Sequence, residues 1–357
     1  MKDVLQVGVI GCGEIAQIAH IPYLMESPLF AVSAICDISR VVVDAVGDRF
    51  GIQARFLDYR EMIQTARLDA VLVCCHDHSA PVIAALDAGK HVIVEKPLAF
   101  NLDQADRMIA ASARASAKLM VGYMKCYDPA LEWALPRFRR INDLHLIRVH
   151  DFAGDYRINE QIYDLIRPVD VPRDRLESMQ GAIRDAEMAA IGVQNADLLE
   201  AYDMLLYLCS HDARLLHQVY GAPQHISYSE AVQRQFVFSI LEYPQGVRCV
   251  WETGLSIGNI DWDEQFAAYG ESERIELRFP FPYLRNAASS VWVNTMEDGV
   301  HSERRVIAGY DEAFRREWRH FYDCVTEDKT PLTNGEAGRM DLELLINMIK
   351  AIRGSRG

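Results

Sequence analysis

The sequence lacks the features that would place it in a membrane, in a disulfide-bonded framework or on nucleic acid. It has no secretory leader and no run of about 20 apolar residues, the length that a membrane-spanning helix needs. Acidic residues outnumber basic ones by 51 to 37, and the formal net charge of −14 argues against nucleic acid or an anionic membrane as a partner. The eight cysteines are scattered, and only Cys74 and Cys75 are adjacent. We therefore expect a cytoplasmic protein with reduced thiols.

What is present is an ordinary globular composition on a chain long enough for two domains. Of the 357 residues, 50% are hydrophobic and 25% are charged. Residues 1–125 alternate short apolar runs with helical segments, which is typical of an α/β domain with a doubly wound parallel sheet. The predicted strands of this domain are Leu5–Ile10, Ala31–Cys36, Ala70–Cys75, His91–Val94 and Leu119–Tyr123.

The second predicted domain, residues 126–357, has a different pattern. A helix at 129–139 and a strand at 144–152 precede a polar stretch at 154–186, which we expect to form a surface excursion with short helices. One continuous helix is predicted over 196–220. The later elements are strands at 225–231, 235–243, 247–257, 264–269, 274–279, 290–296 and 302–307, and helices at 312–326 and 335–352. This order predicts an α+β domain with a mainly antiparallel sheet.

The first strand leads into a glycine turn, Gly11-Cys12-Gly13-Glu14-Ile15-Ala16. Gly11 permits the tight turn, Gly13 lets the backbone approach a pyrophosphate, and Ala16 lets the helix pack closely on the strand. The N-terminus of that helix offers free N–H groups to the phosphates. The turn therefore predicts a dinucleotide site at the start of the chain.

The residues that follow the second strand bear on the choice between NAD and NADP. Asp37 ends that strand, where a carboxylate binds the adenosine ribose and repels a 2′-phosphate, so NAD is favoured. Arg40 has the opposite effect, because an arginine just beyond the acid accommodates a phosphate, and NADP stays possible. The alternative interpretation is that Asp37 caps a helix and that Arg40 is solvated.

A second segment, Ala88-Gly89-Lys90-His91-Val92-Ile93-Val94-Glu95-Lys96-Pro97-Leu98, completes a family pattern. With the glycine turn and with Phe321-Tyr322-Asp323-Cys324, Pro331-Leu332-Thr333 and Gly335-Glu336, the chain resembles the Gfo/Idh/MocA oxidoreductases, the glucose-fructose oxidoreductase and inositol dehydrogenase family. The resemblance covers nearly the whole chain. It implies a Rossmann domain, a C-terminal domain with a large open sheet, and hydride transfer at a carbon of a sugar or cyclitol.

Lys96 stands at the carboxyl end of a predicted parallel strand, where open α/β sheets bind ligands. It matches the family lysine, whose ammonium can polarise a carbonyl and lower the pKa of a neighbouring acid. Glu95 is expected beside the cofactor or as an orienting residue, and Pro97 fixes the turn, with a cis bond as one option. The alternative for Lys96 is a solvated lysine after an edge strand.

The second family signature is an aspartate followed four residues later by a histidine on a helix. His211 matches that histidine and would be the acid or base, because imidazole titrates near working pH. Tyr207 stands where the family has the aspartate, one helical turn away, so both would face the same cleft. Either Lys96 lowers the pKa of Tyr207, which then donates or relays a proton, or Tyr207 packs or stacks on the substrate. His211 could also be an ordinary core histidine.

The segment Cys74-Cys75-His76-Asp77-His78 departs from the Thr-Pro-Asn-like turn of the family. We expect Cys75, His76 and His78 on the nicotinamide side of the cofactor, with His76 or His78 in the family histidine position. His78 would cap the next helix or touch the cofactor. Alternating side-chain directions and the lack of a partner pair argue against zinc, and we predict no metal.

Five further residues are predicted substrate contacts. Lys125 and Tyr127 lie in the segment through which relatives cross from domain one to domain two and contact substrate. Tyr156 and Arg157 follow the first strand of the second domain. Asn195 precedes the signature helix and would contact a substrate hydroxyl or serve as the N-cap of that helix.

These features predict an NAD(P)-dependent dehydrogenase or ketoreductase acting on a sugar, a sugar derivative or a cyclitol. The rival hypothesis, suggested by Tyr207 and the polar excursion, is a glycoside-cleaving enzyme that oxidises its substrate transiently before elimination. A non-catalytic dinucleotide sensor is a third. Because relatives pair their antiparallel sheets, we expect a homodimer or homotetramer.

Overall fold

The computed structural model describes residues 4–155, 157–255, 258 and 261–352. The chain divides into two compact units. The first unit comprises residues 1–123, 159–186 and 314–339, and the second comprises 124–158, 187–313 and 340–357. Two later segments of the chain, 159–186 and 314–339, therefore pack with the N-terminal 123 residues. The predicted division into residues 1–125 and 126–357 places both segments in the second domain.

A six-stranded sheet in the order β3-β2-β1-β4-β5-β6 forms the centre of the first unit, and its strand pairs are all parallel. The chain order reverses between β1 and β4, so the predicted doubly wound sheet is confirmed. The strands are β1 Leu5–Ile10, β2 Phe30–Cys36, β3 Arg55–Phe56, β4 Ala70–Val73, β5 His91–Glu95 and β6 Leu119–Gly122. The two-residue β3 was not predicted, because it is too short to carry a hydrophobic period.

Helices connect these strands, and their starts follow local capping chemistry. Asn101 accepts a hydrogen bond from Gln104 N at 2.9 Å and caps α5. The helices of this part are a π-helical turn Ala16–His20, α1 Ile21–Glu26, α2 Arg40–Phe50, α3 Tyr59–Thr65, α4 Ser79–Asp87 and α5 Leu102–Ala115.

The polar stretch after the first 153 residues differs from its prediction. A short helix, α7 Ile158–Ile162, is followed by one long helix, α8 Arg173–Ile191, where we expected only short helices. The segment from 173 to 191 has a single glycine and no proline inside it, so a charged, mostly exposed helix can continue. Near the C-terminus, α11 Ala313–Thr326 and α12 Gly335–Ala351 agree with the predicted helices.

The second unit contains an eight-stranded sheet in the order β14-β13-β12-β11-β7-β10-β9-β8. Only β7 and β10 pair in parallel, so the mainly antiparallel sheet is confirmed. The strands are β7 Leu144–Ala153, β8 His225–Val232, β9 Phe236–Glu242, β10 Arg248–Leu255, β11 Asp263–Gly270, β12 Glu273–Phe279, β13 Ser290–Glu297 and β14 Val300–Val306. Turns at 244–246 and 298–299 connect β9 to β10 and β13 to β14.

Side chains of β7 alternate between the two faces of this sheet. Ile147 and Val149 are buried, whereas Arg148, His150 and Phe152 on the other face are half-buried. The helices of this unit are α6 Pro129–Phe138, α9 Ala196–Tyr207 and α10 Ser210–Tyr220. The continuous helix predicted over 196–220 is therefore wrong. The chain leaves helical continuity at Leu208 and Cys209 and begins a new helix at Ser210.

No helix within the described residues has both the length and the apolar character needed to cross a bilayer. All eight cysteines are free thiols, in agreement with the expected reduced state.

Candidate cofactor and active-site residues

The glycine turn has the geometry that a dinucleotide requires. Gly11 has φ +90°, and a Cβ there would lie 2.6 Å from Cys75 N, so only glycine fits. At Gly13 a Cβ would meet no atom within 4 Å, which leaves the backbone open on that side. Ala16 is fully buried, and Ile15 and Glu14 are half-buried. The turn fits the pyrophosphate of a dinucleotide, with Gly13 as the residue that would approach it.

Asp37 is held by backbone N–H groups beside this turn. Its Oδ2 accepts from Cys12 N at 2.8 Å and its Oδ1 accepts from Ser39 N at 2.9 Å. The alternative that Asp37 caps α2 is wrong, because the N-cap is Ser39, whose Oγ accepts from Val42 N at 3.1 Å. The Arg40 side chain is exposed and lies 3.9 Å from Asp44. Asp37 is thus fixed where an acid would bind a ribose, while Arg40 extends into solvent.

Glu95 is buried at the end of β5 and orients the backbone of Lys96. Its Oε2 accepts from Lys96 N at 3.1 Å, and its Oε1 lies 2.7 Å from His20 Nε2. Trp318 Nε1, which can only donate, lies 3.0 Å from His20 Nδ1. His20 is therefore the Nε2–H tautomer, which donates to Glu95. The Lys96–Pro97 peptide bond is cis, as the sequence allowed.

The ionisation of Glu95 follows from these partners. Burial by itself raises the pKa of a carboxyl, but the hydrogen bond from His20 and the charge of Lys96 lower the pKa of Glu95 below its usual value. Glu317 is a second, fully buried carboxyl in this unit, and burial together with the charge of Glu95 raises its pKa. Glu95 is thus charged at neutral pH, whereas burial favours the protonated form of Glu317.

β4 ends at Val73, two residues before the predicted end of this strand at Cys75. Cys75 is half-buried, and burial together with the charge of Asp77 raises its pKa to about 12. His78 is buried, and its Nδ1 donates to the Pro97 carbonyl at 2.8 Å. His78 occupies the N-cap position of α4, as predicted, but its side chain makes no capping hydrogen bond. Asp77 accepts from Ser79 N at 3.1 Å. His76 is exposed.

Tyr207 and His211 do not share a helix, contrary to the prediction. Tyr207 is the last residue of α9 and His211 is the second residue of α10. Burial and the nearby carboxyls of Asp203 and Glu187 raise the pKa of Tyr207, whereas the first interpretation required a lowered value. The phenol of Tyr207 is therefore protonated at working pH and can only donate or accept hydrogen bonds as a neutral group.

The second unit contains a buried charge cluster that sequence reasoning missed. Lys125 is 4% exposed, and its ammonium binds both carboxylate oxygens of Glu264. Trp262 Nε1 donates to Oε2 of the same carboxylate at 3.0 Å. Lys125 thus has an ion-pair partner inside this unit, and its contact with substrate stays a prediction. Asp151 and Asp212 are buried next to this pair, and the charge of Lys125 acts on both.

Asp151 and Asp212 form a buried pair of carboxyls. Within the described residues, one oxygen of each and the Cys209 thiol lie within 4.8 Å of one another. Burial and repulsion from neighbouring carboxylates raise the pKa of Asp151 well above its usual value, and burial with Glu264 raises that of Asp212 to about 7. The signal for Asp151 was its position on the core face of β7, in register with buried Val149 and Ile147.

The remaining predicted substrate residues lie in varied surroundings. Tyr127 is buried, and Arg157 is exposed with its Nε 2.9 Å from Asp155 Oδ1. The side chain of Asn195 accepts from Asp197 N at 2.9 Å and from Leu198 N at 3.1 Å, which makes it the N-cap of α9, one of its two predicted roles. Tyr156 lies outside the described residues.

The two glycines of the turn give a matched pair of variants. We expect Gly11→Ala to lower the free energy of unfolding by about 2 kcal/mol or more, because φ is positive and the new Cβ meets the Cys75 backbone. Gly13→Ala should leave the melting temperature unchanged and weaken NADH binding at least about tenfold, because its methyl group obstructs the approach of the pyrophosphate. Thermal unfolding and NADH titration measure both effects. An unchanged melting temperature for Gly11→Ala would contradict the geometric argument.

The raised pKa of Asp212 predicts how stability depends on pH. Folding raises this pKa from 3.8 to about 7, so the folded protein binds more protons than the unfolded chain between these values. The contribution of Asp212 to stability is therefore present below pH 3.8 and is lost as the pH rises through about 7. Asp212→Asn should stabilise the protein increasingly, relative to wild type, as the pH rises from about 5 to about 8.

Urea unfolding at several pH values measures this difference. Asp298→Asn, at the exposed turn between β13 and β14, is the control and should follow the wild-type pH dependence. If the stability difference between Asp212→Asn and wild type were constant over this pH range, the raised pKa would be refuted.

Comparison with known proteins agrees with this geometry. The model of the Gfo/Idh/MocA family, described as an oxidoreductase family with an NAD-binding Rossmann fold, matches residues 5–123. A myo-inositol 2-dehydrogenase of Thermotoga maritima is 24% identical over 354 residues, 95% of this chain and 94% of that protein. An inositol 2-dehydrogenase of Paracoccus denitrificans is 38% identical over 130 residues, 35% of this chain and 38% of the relative.

Solved structures extend the likeness of the fold beyond the first domain. A 3-ketoreductase from Actinomadura kijaniata in complex with NADP has a TM-score of 0.74 at 20% identity, over 98% of each chain. A UDP-N-acetylglucosamine 3-dehydrogenase from Acidithiobacillus ferrooxidans has a TM-score of 0.72 at 16% identity, over 98% of each chain. At these identities the solved structures support the fold alone. Residues 5–123 match the NAD-binding Rossmann domain of the Gfo/Idh/MocA oxidoreductase family, and over nearly its whole length the chain is similar to a myo-inositol 2-dehydrogenase.

Proposed function

We propose that the protein is an NAD(P)-dependent dehydrogenase or reductase that acts on a secondary alcohol or ketone of a sugar, sugar derivative or cyclitol. The observation that carries the proposal is the first unit itself: a glycine turn open at Gly13, an acid fixed at Asp37, and Lys96 directly after the buried carboxylate of Glu95. The names of similar proteins, a myo-inositol 2-dehydrogenase and a UDP-N-acetylglucosamine 3-dehydrogenase among them, support the substrate class.

In this proposal each residue has a defined task. The nicotinamide, when bound, supplies or accepts the hydride. Lys96 places its ammonium at the substrate oxygen and stabilises the negative charge that develops there. His211 exchanges the hydroxyl proton as general acid or base. Glu95 acts through Lys96 as a positioning residue, because its carboxylate accepts the Lys96 backbone N–H and is itself fixed by His20.

The departure at Tyr207 changes how a proton could be supplied. With its raised pKa, the phenol offers a hydrogen bond or a stacking surface rather than a base. The titrating carboxyl next to His211 in the chain is Asp212, with a pKa of about 7. We assign to the Asp151–Asp212 pair the charge-compensating role that a family aspartate would otherwise have. Arg157 and Asn195 keep their proposed role as substrate contacts, the latter through the part of its amide that does not cap α9.

The glycoside-cleaving alternative is not favoured. One of its two motives was the polar excursion, but residues 159–186 pack within the first unit. Its other motive was Tyr207 in place of the family aspartate, and the raised pKa of that phenol does not supply the base that an elimination needs. A dinucleotide sensor would not need the Lys96 and His211 pair that the chain retains.

The test follows reduced nicotinamide by absorbance while sugars, cyclitols and glycosides are added with NAD or NADP. We expect reduced cofactor to accumulate with one polyol class and mass spectrometry to identify a keto product. With that substrate, Lys96→Ala should lower kcat by about 10³-fold, because the developing alkoxide loses its counter-charge. Lys329→Ala, which removes an exposed lysine paired with Glu327, is the control and should keep full turnover.

Two outcomes would contradict this assignment. Full turnover by Lys96→Ala would remove the proposed role of the lysine. Cleavage of a glycoside without accumulating reduced cofactor would favour the alternative reaction.

We also propose a homodimer or homotetramer formed through the half-buried face of the eight-stranded sheet. On this face Arg148 and His150 both bind the Glu252 carboxylate, the latter at 2.8 Å, and Phe152 lies beside them. Paired charges among apolar side chains suit a surface that becomes buried on association. Light scattering should give a multiple of the chain mass, and a single-chain mass across a concentration series would contradict the proposal.

A further inference from the structure

A segment of the polar excursion, residues 163–170, lies against the residues predicted to bind the dinucleotide, and we call it the strap. Gln17, buried in the first helix, is its main attachment. The Gln17 side chain donates to the Ile166 carbonyl at 2.9 Å and accepts from Ile166 N at 2.9 Å. The same amide nitrogen donates to the Cys12 carbonyl at 2.8 Å. One buried side chain thus joins the strap backbone to the glycine turn.

Two ion pairs flank this attachment. Arg49 on α2 binds the Asp164 carboxylate at 2.9 Å and the Asp164 carbonyl at 2.6 Å. Arg167 pairs with Glu14 of the glycine turn at 3.0 Å. Exposed pairs of this kind contribute little stability individually, but the first joins the strap to the last turn of α2 and the second joins it to the glycine turn.

The last strap residue places a carboxylate at the N-terminus of α2. Asp170 accepts hydrogen bonds from the Ser39 hydroxyl and, at 3.2 Å, from Val41 N. Ser39 is buried, and its backbone N donates to Asp37 at 2.9 Å. The hydrogen bond from Ser39 lowers the pKa of Asp170, so the carboxylate is charged at neutral pH. Asp37 and Asp170 therefore bind the same serine from two directions.

NAD and NADP differ at the adenosine ribose, where NADP carries a 2′-phosphate in place of a hydroxyl. A phosphate there needs hydrogen-bond donors, and the start of the helix after the second strand is the natural place to find them. In this protein those donors, the Ser39 hydroxyl and Val41 N, already bind the carboxylate of Asp170. A phosphate would have to displace one carboxylate and lie beside another, that of Asp37.

We propose that Asp170 determines cofactor specificity, because it occupies the place of a 2′-phosphate at the start of α2 and restricts the site to NAD(H). The inference rests on the proposed function, since it presupposes a nicotinamide dinucleotide. It assigns the strap to the cofactor rather than to the substrate. Arg40, the residue that kept NADP possible, does not offset Asp170, because its exposed guanidinium lies near Asp44.

The experiment measures binding rather than turnover. NADH and NADPH are titrated separately into the full chain, and calorimetry or nucleotide fluorescence gives each Kd. We expect wild type to bind NADH at least about tenfold more tightly than NADPH. Asp170→Ala frees the two donors and removes a negative charge, so the ratio should shift towards NADPH by about tenfold or more. Its melting temperature should stay at the wild-type value, because Asp170 is exposed.

Asp164→Ala is the matched control. Asp164 is another carboxylate of the strap, but it binds Arg49 and not the start of α2. It should leave the NADH-to-NADPH ratio at the wild-type value. Asp170→Asn, which keeps the shape and loses the charge, should give an intermediate ratio.

The outcomes separate this inference from the function on which it rests. If NADH still binds but Asp170→Ala leaves the ratio unchanged, or if Asp164→Ala shifts it equally, the role of Asp170 is overturned and the proposed function stands. Equal affinity of wild type for both nucleotides also overturns it. If wild type binds neither nucleotide, the proposed function fails, and the role of Asp170 fails with it.

Discussion

The arrangement of the first unit depends on the burial of one carboxylate. Glu95 ends β5 inside the unit, and a charge removed from water is tolerated only with hydrogen-bond partners. His20, from the helix after the glycine turn, and the backbone of Lys96 supply them. Trp318, from α11 near the other end of the chain, fixes the tautomer of His20. Three segments distant in sequence therefore meet at the residue that precedes Lys96, which explains why α11 belongs to this unit.

The second unit meets the same constraint in a different way. Lys125 and Glu264 are buried as an ion pair. Asp151 and Asp212 are two carboxyls buried close together, and ionising both of them is energetically costly. The result is a group that titrates near neutral pH next to His211 in the chain, although the aspartate of the family signature is replaced by Tyr207. The replacement therefore removes a carboxylate from one position without removing titratable carboxyls from this unit.

Local sequence patterns predicted most of the strands and helices. The apolar runs predicted the strands of both sheets to within a few residues, apart from the two-residue β3, because a burial pattern is a property of neighbouring residues. The break between α9 and α10 was missed, since no glycine or proline marks Leu208 and Cys209. In the site, Gly11, Gly13 and Asp37 were predictable from spacing, whereas the partners of Lys125 were not, because Glu264 lies on a strand far along the chain.

The strap shows most clearly where local reasoning ends. Its attachment to Gln17 uses the backbone N–H and C=O of Ile166. Because every non-proline residue has these groups, no residue pattern predicts the attachment. A polar stretch with this composition is indistinguishable in sequence from a solvated loop. Cofactor preference is ordinarily read from the few residues after the second strand, here Asp37 and Arg40. When a carboxylate distant in sequence binds the donors beside them, these few residues do not determine the preference alone. The electrostatic potential at a 2′-phosphate depends on every charged group near Ser39.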